Sequence, residues 1–161
     1  MQELLASIEA SPLGRIMRES GPWTYPLVNL AHILGIASLF GAVLVLDLRL
    51  LGLGRRRPLG PLAEAAVPVA RVGFVLAVAS GIGLLTANAT EYEGNPFLLI
   101  KFPAIAIGLA NALLLGRSAA WHAARSGTAT AADGRRLAIM GGVSLMSWLV
   151  AITAGRLIGY W

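Results

Sequence analysis

The sequence predicts an all-α fold: an integral membrane antiparallel four-helix bundle with a short N-terminal interfacial helix. The 161-residue chain is 57% hydrophobic and 13% charged, whereas ordinary globular chains are roughly 45–50% apolar and about 25% charged. The apolar residues form four long runs, and a helix of about 20 apolar residues crosses the hydrocarbon core of a bilayer. We therefore expect one membrane domain over residues 1–161, with spans at about residues 24–52, 63–88, 96–117 and 135–158.

The N-terminal segment, residues 1–21, has an amphipathic pattern of its own. Ser11 is suited to cap a helix and Pro12 to occupy its first position. Leu13, Ile16 and Met17 then fall on one helical face. This pattern predicts an interfacial helix at the outer membrane surface. A second interpretation is a lid over a site in the outer leaflet.

Small residues recur every four positions in three of the predicted spans, and such stripes allow membrane helices to pack closely. They indicate a compact bundle, and they equally allow a homodimer or contact with partner helices. Asn111, in the middle of the third span, is expected to form an interhelical hydrogen bond. The stripes consist of Gly73, Ala77 and Gly81; of Ala104, Gly108, Ala112 and Gly116; and of Ser147, Ala151, Gly155 and Gly159.

The distribution of charged residues among the loops predicts the orientation of the bundle in the membrane. The loops after the first and third spans are rich in arginine, whereas the second loop has no Lys or Arg and contains Glu91 and Glu93. Because basic loops stay cytoplasmic, we expect a multi-pass protein of the bacterial inner membrane with both termini periplasmic. The formal charge of +5 is therefore explained by the lipid bilayer, and no nucleic-acid partner is expected.

Other classes of site and segment are excluded by composition. The chain has no cysteine, which rules out disulfides, thiolate metal sites and cysteine nucleophiles. The first ten residues, MQELLASIEA, have acidic residues where a signal peptide has basic ones, and they lack its apolar core.

Three ionisable residues fall at one predicted depth, near the outer ends of their spans: His32, Lys101 and Arg156. Intramembrane ionisable groups mark functional sites by default, so we expect a polar pocket in the outer leaflet, where Gly35 leaves room for a flat ligand. The alternatives are that Lys101 and Arg156 anchor the helices at the interface and that His32 bonds a neighbouring helix. The residues expected to share the helical faces of the site are Asn29, Thr153 and Tyr160.

The candidate ligands are haem b and a quinone-like molecule. His32 would be the metal ligand, with Lys101 and Arg156 beside the haem propionates or an anionic ligand. The other histidine, His122, lies about 30 Å away along the bundle, so one chain cannot hold a single haem between the two. Copper fits less well because the chain lacks thiolates and paired methionines. A proton relay needs a carboxylate within the core, where the sequence offers only Asp47, near the cytoplasmic end.

The stretches WTYPLVNLAHILGIASLFGAVLVLDLRLLG, NPFLLIKFPAIAIGLANALL and GRLIGY resemble a family of small bacterial four-helix membrane proteins whose domain has no assigned function. The resemblance implies the fold, and it marks His32, Asp47, Arg49, Lys101 and Arg156 as the polar positions of the family. Members often have a histidine after NALL, where this chain has LGR, which argues against a haem held by two histidines.

A weaker similarity links the chain to copper-resistance D-type membrane proteins and to four-helix, haem-binding protoporphyrinogen oxidases. The second group pairs a histidine in an early span with a lysine at the start of a later one, as His32 and Lys101 do here. We expect a redox-associated role with haem b or a quinone-like ligand. The alternatives are a non-catalytic accessory or assembly protein and, third, copper handling. The sequence leaves open whether the protein is an enzyme.

Overall fold

The computed structural model describes residues 2–161, and their regular structure is entirely helical. This confirms the predicted fold class. The seven α-helices are α1 (Gln2–Glu9), α2 (Pro12–Glu19), α3 (Thr24–Leu51), α4 (Leu59–Ala87), α5 (Pro96–Arg117), α6 (Ala119–Ser126) and α7 (Ala131–Leu157). Short 3-10 turns follow α4 at Ala89–Tyr92 and α7 at Ile158–Tyr160.

Four of the helices, α3, α4, α5 and α7, are long and apolar enough to cross a membrane. Large apolar side chains on them are exposed, for example Val72 at 68% and Leu99 at 76%. In water such surfaces would be unfavourable, whereas lipid tails solvate them. The chain is therefore a multi-pass membrane protein that contacts the bilayer.

Two of the long helices begin earlier than the apolar runs suggest. Helix α4 starts at Leu59 rather than 63, and α7 starts at Ala131 rather than 135. At α7 the cause is a capping box, in which the Thr130 hydroxyl and the Asp133 carboxylate each accept a hydrogen bond from the other residue's backbone N–H. At α7, hydropathy therefore shows where the apolar part of the helix begins, and a polar, capped turn precedes it.

The chain divides into two compact units. The first contains the described residues up to Leu39 together with Arg71–Asn95. Here α3 and α4 approach backbone to backbone. A Cβ atom on Gly35 would lie 2.6 Å from the amide nitrogen of Ala77, and one on Gly73 would lie 2.5 Å from that of Leu39. The absence of side chains at both glycines permits this spacing.

Helix α2 forms as the sequence predicts and is anchored in the first unit. The Ser11 hydroxyl accepts a hydrogen bond from the Gly14 amide at 3.2 Å, and Pro12 opens the helix. Arg18 donates from Nη1 to the carbonyl oxygen of Ala87, at the end of α4, at 3.0 Å. The interfacial segment is thus docked on a membrane helix rather than only lying on the bilayer.

Helix α1 is a separate element, which the amphipathic pattern of the N-terminal segment does not distinguish from α2. It ends at Glu9, just before the cap of α2. The Glu9 carboxylate accepts hydrogen bonds from the Thr90 backbone amide at 2.9 Å and from the Thr90 hydroxyl at 2.7 Å. It also lies 3.8 Å from a guanidinium nitrogen of Arg18. These contacts hold α1 beside the 3-10 turn that follows α4.

The second unit contains Phe40–Ala70 and Pro96–Trp161. Its apolar core joins α3, α4, α6 and α7, and Leu115 of α5 packs against it. Helices α5 and α7 touch closely where a Cβ on Gly108 would lie 3.2 Å from the Trp148 ring. Core residues are Leu46, Leu50, Leu59, Ala63, Ala66, Ala120, Trp121 and Leu137.

In the second unit, some of the small and polar residues of α5 contact α7 and others are exposed. The Asn111 amide donates to the carbonyl oxygen of Met140 at 3.0 Å, which is the interhelical bond that the sequence predicts. Ala104 and Gly108 are buried in the helix contact, whereas Ala112 and Gly116 are exposed. Only part of the α5 stripe is therefore used within this unit.

Candidate functional site

His32 lies on α3 in the first unit, half-buried against α4. Its Nδ1 atom is 2.8 Å from the carbonyl oxygen of Ala77 and 3.1 Å from the hydroxyl oxygen of Ser80. A carbonyl oxygen only accepts hydrogen bonds, so Nδ1 carries the proton. The Ser80 hydroxyl donates to the carbonyl oxygen of Leu76, and it therefore accepts from His32. In a neutral imidazole these bonds therefore select the Nδ1–H tautomer.

Gly81 makes room for this imidazole. A Cβ atom at Gly81 would lie 2.9 Å from Cε1 of His32 and 3.3 Å from Nδ1. The sequence assigned Gly81 only to a packing stripe and did not single out Ser80, which is buried on the same helix. A serine beside a glycine in an apolar span is a weak signal, because either residue is common where membrane helices pack.

Helix α2 reaches the same part of α4. The Met17 sulfur is 3.3 Å from the Cβ position of Gly83, and Val28 of α3 is 3.5 Å from it. Gly83 follows Gly81 by two residues, so α2 packs within one helical turn of the histidine along α4. The interpretation of α2 as a lid stays a prediction.

The expectation that Gly35 leaves room for a flat ligand is wrong. The space beside its Cα atom is filled by the backbone of α4, at Gly73 and Ala77. A glycine in a membrane helix has two uses, close helix packing and ligand access, and the sequence pattern does not separate them. Asn29, one turn before His32, is exposed.

Lys101 lies in the second unit and points from α5 towards α7. Its Nζ and Cε atoms are 3.4 and 3.5 Å from the Cβ position of Gly155, and the residue is half-buried. The small-residue stripe of α7 thus accommodates the aliphatic stem. The direction is the one expected from the helical face that Lys101 shares with Ala104 and Gly108.

Arg156 lies on the surface of the second unit. Its Nη2 donates a hydrogen bond to the Tyr160 hydroxyl, and its guanidinium carbon lies 4.6 Å from the centre of the Tyr160 ring. Thr153, one turn earlier, is also exposed. A cation stacked on an aromatic ring one turn along a helix end is typical of an interfacial anchor, which is the alternative interpretation of Arg156.

The predicted site residues are divided between the two units. His32 and Asn29 belong to the first, and Lys101, Thr153, Arg156 and Tyr160 belong to the second. A pocket shared by His32, Lys101 and Arg156 stays a prediction.

Asp47, the carboxylate that the sequence places near the cytoplasmic end of the first span, is buried. It is 2% exposed on α3, in the second unit. Ser144 of α7 is the hydrogen-bonding neighbour of its carboxyl group, whereas Oδ2 has no partner among the described residues. Helix α3 approaches α7 closely here, because a Cβ atom on Gly141 would lie 3.2 Å from the carbonyl oxygen of Asp47. The contact between α3 and α7 therefore buries Asp47.

Arg49 lies two residues after Asp47 on α3, so the two side chains do not face each other. Its Nε donates to the carbonyl oxygen of Arg57 at 3.0 Å, and its Nη2 donates to that of Arg55 at 3.2 Å. Arg49 therefore closes the loop after α3.

Comparison with known proteins gives no match: no family model, no curated protein and no solved structure matches the chain. The family resemblances of the sequence therefore stay predictions. Within residues 2–161, no three His, Cys, Asp or Glu side chains lie close enough together to hold a metal ion. A metal ion bound at His32 would need its other ligands from a cofactor, as the porphyrin supplies them to iron in haem.

Proposed function

We propose that this membrane protein binds haem b or a quinone-like molecule at His32 and serves a redox-associated role. The observation that carries the proposal is the bond from Nδ1–H of His32 to the Ala77 carbonyl oxygen at 2.8 Å. Histidines that ligate metals almost always donate their other ring N–H to a carbonyl or carboxylate, which fixes the tautomer and the ring orientation. In the neutral ring this places the lone pair on Nε2.

That lone pair suits both ligands. It is the donor that a haem iron takes from an axial histidine, and it can accept a hydrogen bond from a quinol hydroxyl. Bound haem would supply one-electron redox chemistry. The propionates of haem, or an anionic quinone-like ligand, would pair with a cation through charge-assisted hydrogen bonds.

The test is an absorption spectrum of the detergent-purified protein, oxidised and dithionite-reduced, with and without added haem. The His32→Ala variant is compared with His122→Ala, because His122 is exposed and lies on α6. We expect a Soret band and reduced α and β bands in the wild type and in His122→Ala, and their loss in His32→Ala.

A flat visible spectrum in folded, haem-supplemented protein would exclude haem. Solvent extraction then tests the quinone-like ligand: a quinone should co-purify with the wild type and with His122→Ala, and be lost from His32→Ala. If neither ligand is found, the redox proposal is wrong.

An accessory or assembly role is the second candidate, and exposed small residues favour it. Nothing lies within 4 Å of a Cβ atom placed on Gly41 of α3 or on Gly116 of α5, so neither glycine is needed for packing within its unit. In this role the protein is colourless, and Gly116→Leu disrupts a homodimer or a complex with partner helices while the chain stays folded. Copper handling remains third.

For localisation, we propose the bacterial inner membrane with both termini in the periplasm. The support is the arginine content of the first and third interhelical loops and its absence from the second.

A further inference from the structure

The second unit contains a groove between α5 and α7 that the proposed function does not use. Its volume is about 530 Å³. It lies where α5 ends and α7 begins, at the opposite end of α5 from Lys101. Arg117 of α5 and Arg136 of α7 line it together with Leu114, Ile139 and Val143.

The two ends of this groove differ in chemistry. Arg117 closes α5, and Arg136 lies in the first two turns of α7. Val143 lies seven residues further along α7, which is about 10 Å deeper into the span. The groove therefore has guanidinium groups at its mouth and aliphatic walls towards the membrane interior.

Among residues 2–161, neither arginine has a carboxylate oxygen within 4.0 Å of its guanidinium nitrogens. Within residues 2–161 the ion pairs are Arg18–Glu9 and Arg125–Glu64. The carboxylate closest in sequence is Asp133, which does not line the groove. It accepts hydrogen bonds from Thr130 and interacts electrostatically with Arg136. The groove is thus lined by two arginines and by no acidic residue, and its mouth has an excess of positive charge.

The aliphatic walls are open rather than packed. Leu114 is 62% exposed, Ile139 is 63% exposed and Val143 is 40% exposed. The side-chain amide of Asn111, at the inner end of the groove, donates its hydrogen bond to the Met140 carbonyl oxygen. The inner end of the groove therefore favours an apolar ligand group over a polar one. An occupant must pair a negative head with an apolar tail.

We propose that this groove binds an anionic phospholipid, with the phosphate between Arg117 and Arg136 and an acyl chain along Leu114, Ile139 and Val143. Basic pockets between membrane helices recruit anionic lipid headgroups by charge, and guanidinium groups bind phosphate through paired hydrogen bonds. The aliphatic walls select a lipid over a soluble phosphate.

The experiment is native mass spectrometry of the full chain in detergent, titrated with phosphatidylglycerol, phosphatidylcholine or soluble glycerol phosphate. We expect phosphatidylglycerol to bind most tightly and glycerol phosphate not to bind. Each arginine contributes about a fivefold change in affinity near a membrane surface. The Arg117→Gln/Arg136→Gln variant should therefore lose about 25-fold in phosphatidylglycerol affinity.

The matched control is Arg56→Gln/Arg135→Gln, which removes the same charge from exposed residues outside the groove and should retain wild-type affinity. The proposal is overturned if both double variants lose affinity equally, or if phosphatidylcholine binds as tightly as phosphatidylglycerol. Equal binding of glycerol phosphate overturns it too, because the site would then recognise phosphate alone. The wild-type comparison of the three probes decides the question even if a variant does not fold.

Discussion

At the residue scale, the buried and half-buried polar side chains of this chain differ in whether the protein gives each polar atom a hydrogen-bond partner. His32 has its Nδ1 proton bound by the Ala77 carbonyl oxygen, while Asp47 has one buried oxygen without a partner in the described chain. Burial of an unpartnered carboxyl oxygen costs about 1–3 kcal/mol. A buried group retained at such a cost is more informative about function than the exposed Arg156, whose guanidinium bonds Tyr160 in the 3-10 turn that follows its helix.

Glu9 gives a residue-scale prediction outside the membrane spans. The Thr90 backbone amide, the Thr90 hydroxyl and, more weakly, Arg18 hold the pKa of Glu9 below its ordinary value of 4.5. A lowered pKa in the folded state means that the contact is fully present above pH 4.5 and is lost as the pH falls through the lowered value. Helix α1 should therefore stay docked at neutral pH and loosen in acid.

The measurement is an NMR pH titration of the Thr90 amide in the detergent-solubilised, ¹⁵N-threonine-labelled protein. Its resonance should shift with a midpoint below pH 4.5, the ordinary pKa of Glu9. Glu9→Gln should abolish that step, and Glu3→Gln, on the same helix, should leave it in place. A midpoint at or above the ordinary pKa would contradict the contact.

At the element scale, glycines set the distance between helices. The small-residue spacing predicts close packing, and the α3–α4 contact at Gly35 and Gly73 is closer than any side chain would allow. The same spacing does not say which glycine is used: Gly41 of α3 and Gly116 of α5 face open space. A stripe of small residues can be recognised in the sequence of one helix. Whether it forms a helix contact depends on a second helix, which the local sequence does not identify.

The element-scale prediction concerns Gly35→Ala and its control Gly41→Ala on the same helix. An added methyl group at Gly35 meets the α4 backbone at 2.6 Å, which cannot move without separating the helices, so we expect a loss of about 1–3 kcal/mol in unfolding free energy. Gly41→Ala should be neutral or stabilising, because alanine favours helix formation. Denaturant unfolding in detergent micelles measures both, and equal stability of the two variants would refute the close α3–α4 packing.

At the scale of the whole molecule, hydropathy predicts the fold well because lipid exposure demands long, continuous apolar helices. Helices α3 and α5 lie within one residue of their predicted bounds, whereas α4 and α7 begin one turn early. At α7 the added turn is polar and is capped by Thr130. Helix α6 went unpredicted because it is short, and its signals are local: the Ser118 cap and the left-handed Gly127.

The candidate site was less predictable than the fold. Depth along a helix can be counted from the sequence, and so His32, Lys101 and Arg156 could be placed near the outer ends of their spans. Rotation and contact cannot be counted in the same way. The burial of Asp47 depends on a glycine of another helix, Gly141, and the setting of His32 depends on Ser80 and Gly81 of α4.

The orientation of the whole chain in the membrane supplies the last prediction. The loop between α3 and α4 contains three consecutive arginines, including Arg56, and the connection between α4 and α5 contains Glu91 and no basic residue. Basic loops resist translocation, so Arg56 should face the cytoplasm and Glu91 the periplasm. Because the chain has no cysteine, the single variants Arg56→Cys and Glu91→Cys report each side without background, and both positions are exposed.

A membrane-impermeant maleimide applied to intact spheroplasts should label Glu91→Cys and spare Arg56→Cys. Both should react after lysis, which controls for intrinsic reactivity. The reverse pattern would move both termini to the cytoplasm and place the His32 end of α3 on the cytoplasmic side. It would also place the groove lined by Arg117 and Arg136 on the periplasmic side, although its preference for anionic lipid would be unchanged. The labelling pattern therefore decides which leaflet supplies the ligand of each site.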